Sequence, residues 1–181
     1  MSGRYLALLR GINVGGKNVI RKDDLRSCFE ELGFQNVTTY IQSGNVLLGA
    51  ATSDVARLCD QVEAGLARRF GYDVRAVVLS HGDYRAAVRA AHDSWGVTEG
   101  YRHDALFLLP GVASDELLAS LPPLRRELEQ ATAAPGVIFW SVERAKVTRS
   151  SFTRLPGLPA YQQVTIRNHN TVRRLEQLFD G

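Results

Sequence analysis

Hydrophobic residues fall along this chain in short runs and stripes whose periods predict an order of elements. Residues 5–9 are a continuous apolar run of strand length, stopped by Arg10. A loop holding Gly11, Gly15 and Gly16 follows. Asp23 and Asp24 then open a helix whose Leu25, Cys28, Phe29 and Leu32 recur at i, i+3, i+4 and i+7, with Gly33 as its stop. Residues 37–42, rich in β-branched and aromatic types, and residues 45–48 read as a hairpin turning at Ser43-Gly44. Ser53 is expected to cap a helix in which Val55, Leu58, Cys59, Val62, Leu66 and Phe70 form one stripe, ended by Gly71. Residues 73–79 make another strand. The order is β-α-β-β-α-β.

The second half repeats that order less plainly. A helix carrying Tyr84, Ala87, Val88 and Ala91 leads through a loop at 94–100 to a strand at 105–109, stopped by Pro110-Gly111. Ser114 is expected to cap a short helix through Leu121, closed by Pro122-Pro123. Residues 128–133 and 137–142 suit a hairpin around Ala134-Pro135-Gly136. A helix near 144–154, a strand at 164–167 and a last helix with Val172, Leu175, Leu178 and Phe179 complete the chain. The predicted fold is α+β: two ferredoxin-like (βαββαβ) units packed together, residues 1–80 and 81–181, the second ending in a C-terminal helix.

Composition narrows the class. With 181 residues, 45% hydrophobic and 23% charged, the chain is ordinary globular protein rather than disordered or fibrous. No apolar run approaches the ~18 residues of a membrane span, and no signal peptide is expected. Cys28 and Cys59 sit on apolar helix stripes with neither metal-ligand nor Cys-x-x-Cys spacing, which suits buried thiols and a cytoplasmic protein. His81, His92, His103 and His169 show no metal spacing, so no metal and no cofactor is expected. The net charge of +3 hides an uneven distribution: residues 1–22 carry +5, residues 144–181 carry +5, and the middle carries −7. Basic ends that met in space would suit phosphate or nucleic acid, whereas apart they would be a solvated surface.

Three segments carry candidate chemistry. The first, residues 9–18, contains Gly11-x-x-x-x-Gly16-Lys17 after a strand, the opening of a phosphate-binding loop. The match ends at Asn18, where a Ser or Thr would serve magnesium, and no helix follows at once, which disfavours nucleotide hydrolysis. Two milder uses stay open: an anion-binding nest of backbone N–H groups aided by Arg10 and Lys17, or a tight connection whose glycines serve geometry alone. The second segment, Tyr40 to Val46, places Ser43 and Asn45 at a hairpin tip, where they can face a ligand or bond the turn backbone. The third, Thr165 to Val172, offers Arg167, Asn168 and Asn170 beside a helix N-terminus, which suits an anion, although one Asn is accounted for by capping. His169 is read as a surface histidine. The basic, hydroxyl-rich run at 144–151 suits phosphate contacts or an exposed helix face. Trp95 and Trp140 suit core packing.

Residues 5–18 resemble the start of the bacterial domain-of-unknown-function 1697 family, and Leu32-Gly33-Phe34, Thr39 to Val46 and Thr165-Ile166-Arg167-Asn168 fit its later motifs. The resemblance spans nearly the whole chain and implies ferredoxin-like folds in both halves, but no substrate or activity. His169 stands where that family commonly has Trp after Arg-Asn, which weakens any stacking role there.

The preferred functional expectation is a polar, basic pocket between the N-terminal Gly-rich loop and the C-terminal Arg-Asn motif, binding a phosphate-bearing ligand such as a nucleotide or an RNA end. Its lining would be Arg10, Asn13, Gly15, Gly16, Lys17, Asn18, Ser43, Asn45, Arg167, Asn168 and Asn170. An alternative is an enzyme on a small polar substrate, with Ser43, Lys17 or His169 as the available groups and no catalytic residue assigned. A third is single-stranded RNA binding on an open sheet face, which needs aromatics on adjacent central strands; only Tyr40 and Phe107 are on offer. Oligomeric state is not legible.

Overall fold

A computed structural model describes residues 3–13, 16, 18–41 and 44–181. It is a mixed α/β fold with two four-stranded antiparallel sheets and several helices, one of them C-terminal. The chain divides into two compact units, Met1–Tyr84 with Phe179–Gly181, and Arg85–Leu178.

In the first unit the order is β1 (Gly3–Arg10), α1 (Lys22–Glu31), β2 (Gln35–Tyr40), β3 (Asn45–Ala50), α2 (Val55–Phe70) and β4 (Arg75–Ser80). The strands pair antiparallel in the order β2-β3-β1-β4. The apolar run at the start of the chain therefore becomes a central strand. Tyr5, Ala7 and Leu9 alternate onto one face, where they join Leu25, Cys28 and Phe29 of α1 and Leu58, Cys59, Val62 and Leu66 of α2 in one core. Each such large apolar side chain contributes about 1.5–3 kcal/mol on full burial. Gly33 ends α1 as its pattern predicts: at φ +87° its N–H bonds Glu30 O, and the Phe34 N–H bonds Phe29 O. The cap of α2 differs by one position. Asp54, not Ser53, accepts the Arg57 N–H at 3.0 Å. Both cysteines are free and buried; Cys59 donates its Sγ–H to Ala76 O.

The second unit holds most of α3 (His81–Arg89), then β5 (Tyr101–Leu108), α4 (Ser114–Ser120), β6 (Glu129–Ala134), β7 (Val137–Glu143), β8 (Val164–Asn168) and most of α5 (His169–Asp180), with strand order β6-β7-β5-β8. Ser114 does not cap α4; Ala113 holds the cap position and makes no side-chain bond. The helix expected near 144–154 is absent. In its place stand three consecutive 3-10 segments, Arg144–Arg149, Ser151–Gly157 and Pro159–Gln163. Local competition explains the difference. Ser150 is extended and its Oγ–H donates to Val147 O, Thr153 Oγ1 donates to Ser150 O, and Pro156 and Pro159 supply no N–H. The Ser151 N–H, which an α-helix would aim at Val147 O, is taken at 2.9 Å by the carboxylate of Glu129. That buried carboxylate also accepts from the Arg125 N–H and from Trp140 Nε1, so one side chain ties the 3-10 wall to the hairpin.

Candidate functional site

Strand register decides which polar residues of the second unit share a face. Asp104 on β5 lies directly opposite Asn168 on β8, and Ala105 opposite Arg167. Side chains alternate along a strand, so Asp104, Asn168 and Ile166 project to one side while Arg167 and Thr165 project to the other. The Arg-Asn motif is thereby divided. Arg167 is buried, and its guanidinium donates to Thr165 Oγ1 and Ile166 O, each at 2.8 Å. Asn168 sits at the mouth of a cleft of about 920 Å³, with His169, Asn170, Arg102 and Arg144 among its lining. Phe152, Pro156 and Tyr161 from the 3-10 segments supply its apolar wall. This is ample room for a small organic ligand.

The cleft's charge is organised around Asp104. Its carboxylate, 3% exposed, receives Arg102 Nε at 2.6 Å and Nη2 at 3.3 Å. Burial pushes the Asp104 carboxyl above its usual value, opposed by the Arg102 hydrogen bonds and charge and by His103 and His169. His169 is half-buried rather than a surface residue, with its ring edge-on to Trp95 and to His103. Burial, then the charges of His103 and Arg173, hold its pKa below 6.5, so it is mainly neutral at pH 7. Arg144 is exposed at the rim and donates to Tyr101 O at 3.4 Å. Since Asp104 neutralises Arg102, the cleft's uncompensated charge comes from Arg144 and from the N-terminal end of α5, whose Thr171 N–H is capped by Asn168 Oδ1.

The first unit gathers the other two motifs. The Leu9 N–H donates to Gly44 O at 2.7 Å, which sets Gly44 beside the end of β1 and Ile12. Gly44 has φ +75°, and a Cβ there would lie 2.8 Å from Leu9 Cβ and 2.9 Å from Ile12 Cδ1, so any side chain there is strained and displaces its neighbours. The asparagines fasten the backbone. Asn13 accepts the Ile20 N–H at 2.8 Å and donates to Ile20 O at 3.3 Å; Asn18 donates to Gly11 O; Asn45 donates to Tyr40 O. Arg10 is half-buried, and Gly16 takes φ +76°. Gly15, Lys17 and Ser43 lie outside the described residues. The Gly-rich loop belongs to the first unit and the Arg-Asn motif to the second.

Arg102, Asp104, Phe152 and Tyr161 escaped the sequence reading. An Arg-x-Asp on a strand is a same-face pair by its period of two, and that spacing was the available signal. No group of three or more described His, Cys, Asp or Glu residues could hold a metal ion. No described helix is long and apolar enough to cross a membrane.

Residues 2–139 match the model of a family described as "Protein of unknown function (DUF1697)". The chain belongs to this family. The match stops before β8 and so does not include Arg167–Asn170. This DUF1697 member is also similar to the solved structure of the conserved bacterial protein SP0830 from Streptococcus pneumoniae, at 29% identity and a TM-score of 0.86, with 99% of each chain covered. A comparison with curated proteins gives no match.

Proposed function

We propose that the chain binds a phosphate-bearing ligand, a nucleotide or an RNA end, in the cleft of its second unit. The observation that carries this is the convergence on one cleft of Arg144, Asn168 and Asn170 with the apolar wall of Phe152 and Tyr161. A guanidinium and amides recognise phosphate oxygens, and the cleft beside the wall has room for the rest of the molecule. The test is a thermal-shift comparison of ribose 5-phosphate and pyrophosphate against ribose. The phosphorylated probes raise the melting midpoint and ribose does not, because native-state binding stabilises by mass action. Arg144→Ala removes most of the shift. Equal shifts for ribose and ribose 5-phosphate, or an unaltered shift in Arg144→Ala, would overturn the proposal.

Each unit is proposed to be ferredoxin-like, an α-β plait. The strand orders β2-β3-β1-β4 and β6-β7-β5-β8, with β1 or β5 inserted beside a crossover, support that description. The free, buried cysteines support a reducing, cytoplasmic setting. A second reading, an enzyme on a small polar substrate, draws on the placement of Asp104 and His169 in one cleft, both shifted toward their neutral forms. His169→Gln abolishing turnover while sparing ligand binding would favour it. RNA binding on an open sheet face draws no comparable support, since Tyr40 and Phe107 lie on different sheets.

A further inference from the structure

The cleft holds one side chain that is too well immobilised to be an ordinary surface arginine. Arg102 is gripped along one edge by Asp104, through Nε at 2.6 Å and Nη2 at 3.3 Å. One face of its guanidinium is backed by the Phe152 ring, whose centroid lies 4.8 Å from Cζ. Phe152 is itself fixed by Trp140, edge-on at 5.3 Å, and Trp140 is anchored through Nε1 to Glu129. Yet the Arg102 side chain remains 45% exposed and lines the cleft. Its flexible stem has lost its freedom before any ligand arrives, which is the condition for tight recognition.

The chemistry left to this guanidinium is selective. Asp104 already neutralises its charge and occupies Nε and Nη2, two of the donors that a phosphate would engage in bidentate fashion. Its flat, weakly hydrated π surface is what remains, and such a plane stacks on aromatic rings. Free phosphate and sugars offer no matching surface. A nucleobase does.

We propose that the Arg102 guanidinium, clamped by Asp104 and backed by Phe152, is a stacking platform for a planar nitrogenous base, so that the site takes nucleotides in preference to phosphorylated sugars. The inference rests on the phosphate-binding reading of the same cleft and adds the ligand's other half.

Calorimetric titration of the full chain with AMP, GMP, CMP, UMP, adenosine and ribose 5-phosphate separates the two ideas. At least one nucleoside monophosphate binds about fivefold or more tighter than ribose 5-phosphate, the low end for a single stacked base. Arg102→Lys keeps the charge and removes the plane. It brings that nucleotide to the ribose 5-phosphate level while ribose 5-phosphate itself changes less than twofold. Phe152→Leu, which leaves the Arg102–Asp104 pair in place, shows the same selective loss and guards against misfolding of the first variant. If every monophosphate binds like ribose 5-phosphate, or if both variants weaken all ligands equally, the platform is refuted while the phosphate site stands. If adenosine binds as well as AMP, and Arg102→Lys abolishes both, the platform stands and the phosphate site is refuted. If nothing binds, both are refuted.

Discussion

Replacing Glu129 by Gln is the sharpest test of how the cleft wall is held. The carboxylate is 3% exposed and accepts three N–H groups: Arg125 and Ser151 backbone, each at 2.9 Å on Oε1, and Trp140 Nε1 at 3.0 Å on Oε2. Glutamine is nearly the same shape but has one carbonyl and one amino group. If the carbonyl stays on the two backbone donors, the amino group meets the Trp140 N–H, donor against donor; the flipped amide sacrifices two bonds instead of one. Leaving one buried donor unsatisfied costs about 1–3 kcal/mol, and each of the other two bonds loses about 1 kcal/mol of its charge assistance. The total is about 3–5 kcal/mol, a large share of the ~5–15 kcal/mol that holds a domain together. For a chain of this size that lowers the melting midpoint by roughly 10 °C. A thermal melt followed by tryptophan fluorescence reads it directly, because Trp140 is one of the partners. Glu127→Gln, on an exposed neighbour, serves as the control and shifts stability by less than about 0.5 kcal/mol. A Glu129→Gln protein within about 1 kcal/mol of the wild type would refute the account of the wall.

Gly44→Ala places a Cβ in the left-handed region and against Leu9 and Ile12; a loss of about 2–4 kcal/mol in urea melts is expected, and a neutral result would mean that the hairpin tip can move away. Asn13→Ala removes both bonds to Ile20. Amide exchange at Ile20 should accelerate, with about 1–2 kcal/mol of stability lost, and unchanged exchange would show that the loop is fastened elsewhere. The histidines set a pH dependence with two opposite readouts. His169 and His92 have folded pKa values held below 6.5, in each case chiefly by burial and next by the charge of His103. The native state thus binds fewer protons than the unfolded one below that pH, and these histidines draw stability down as pH falls through that window. Arg173 and Arg144 reinforce the shift of His169, and Asp104 opposes it. Protonation of His169 adds positive charge to the cleft, so as pH falls the wild type gains ribose 5-phosphate affinity relative to His169→Gln, a ratio in which the ligand's own phosphate protonation cancels. A ratio of the two affinities that stays constant with pH would refute this role of His169.

Much of the fold was readable because its signals are local. The stripes of α1 and α2 gave their faces, and Gly33 and Gly71, both with positive φ, gave their ends. The first apolar run gave a central strand. The failures come from tertiary partners. Nothing near Ser151 announces that a carboxylate 22 residues upstream will take its N–H, and without that capture the basic run resembles a helix face. The site was half legible for the same reason. Asn168 and Asn170 reach the cleft, while Arg167, adjacent in sequence, is turned away by strand alternation, a consequence that appears only once the β5–β8 register is known. In the first unit, Asn13, Asn18 and Asn45 make an Asn-rich signature that suits a ligand and equally suits a self-fastened loop, and their bonds are those of the second kind.

The 3-10 wall carries one more consequence. A single α-helix in its place would be one rod, in which a residue inserted or removed rotates every later side chain onto another face. Here the span from Arg144 to Gln163 is three short turns anchored at separate points, among them Ser151 on Glu129, and Phe152, Leu155 and Ala160 in the core. Exposed residues of the span, such as Arg149 and Arg154, take no part in the pairing of β5 with β7 or β8. The sheet supplies a constant frame and the wall a variable one. On the proposed ligand-binding reading, substitutions at such exposed positions retune ligand choice at little cost to folding.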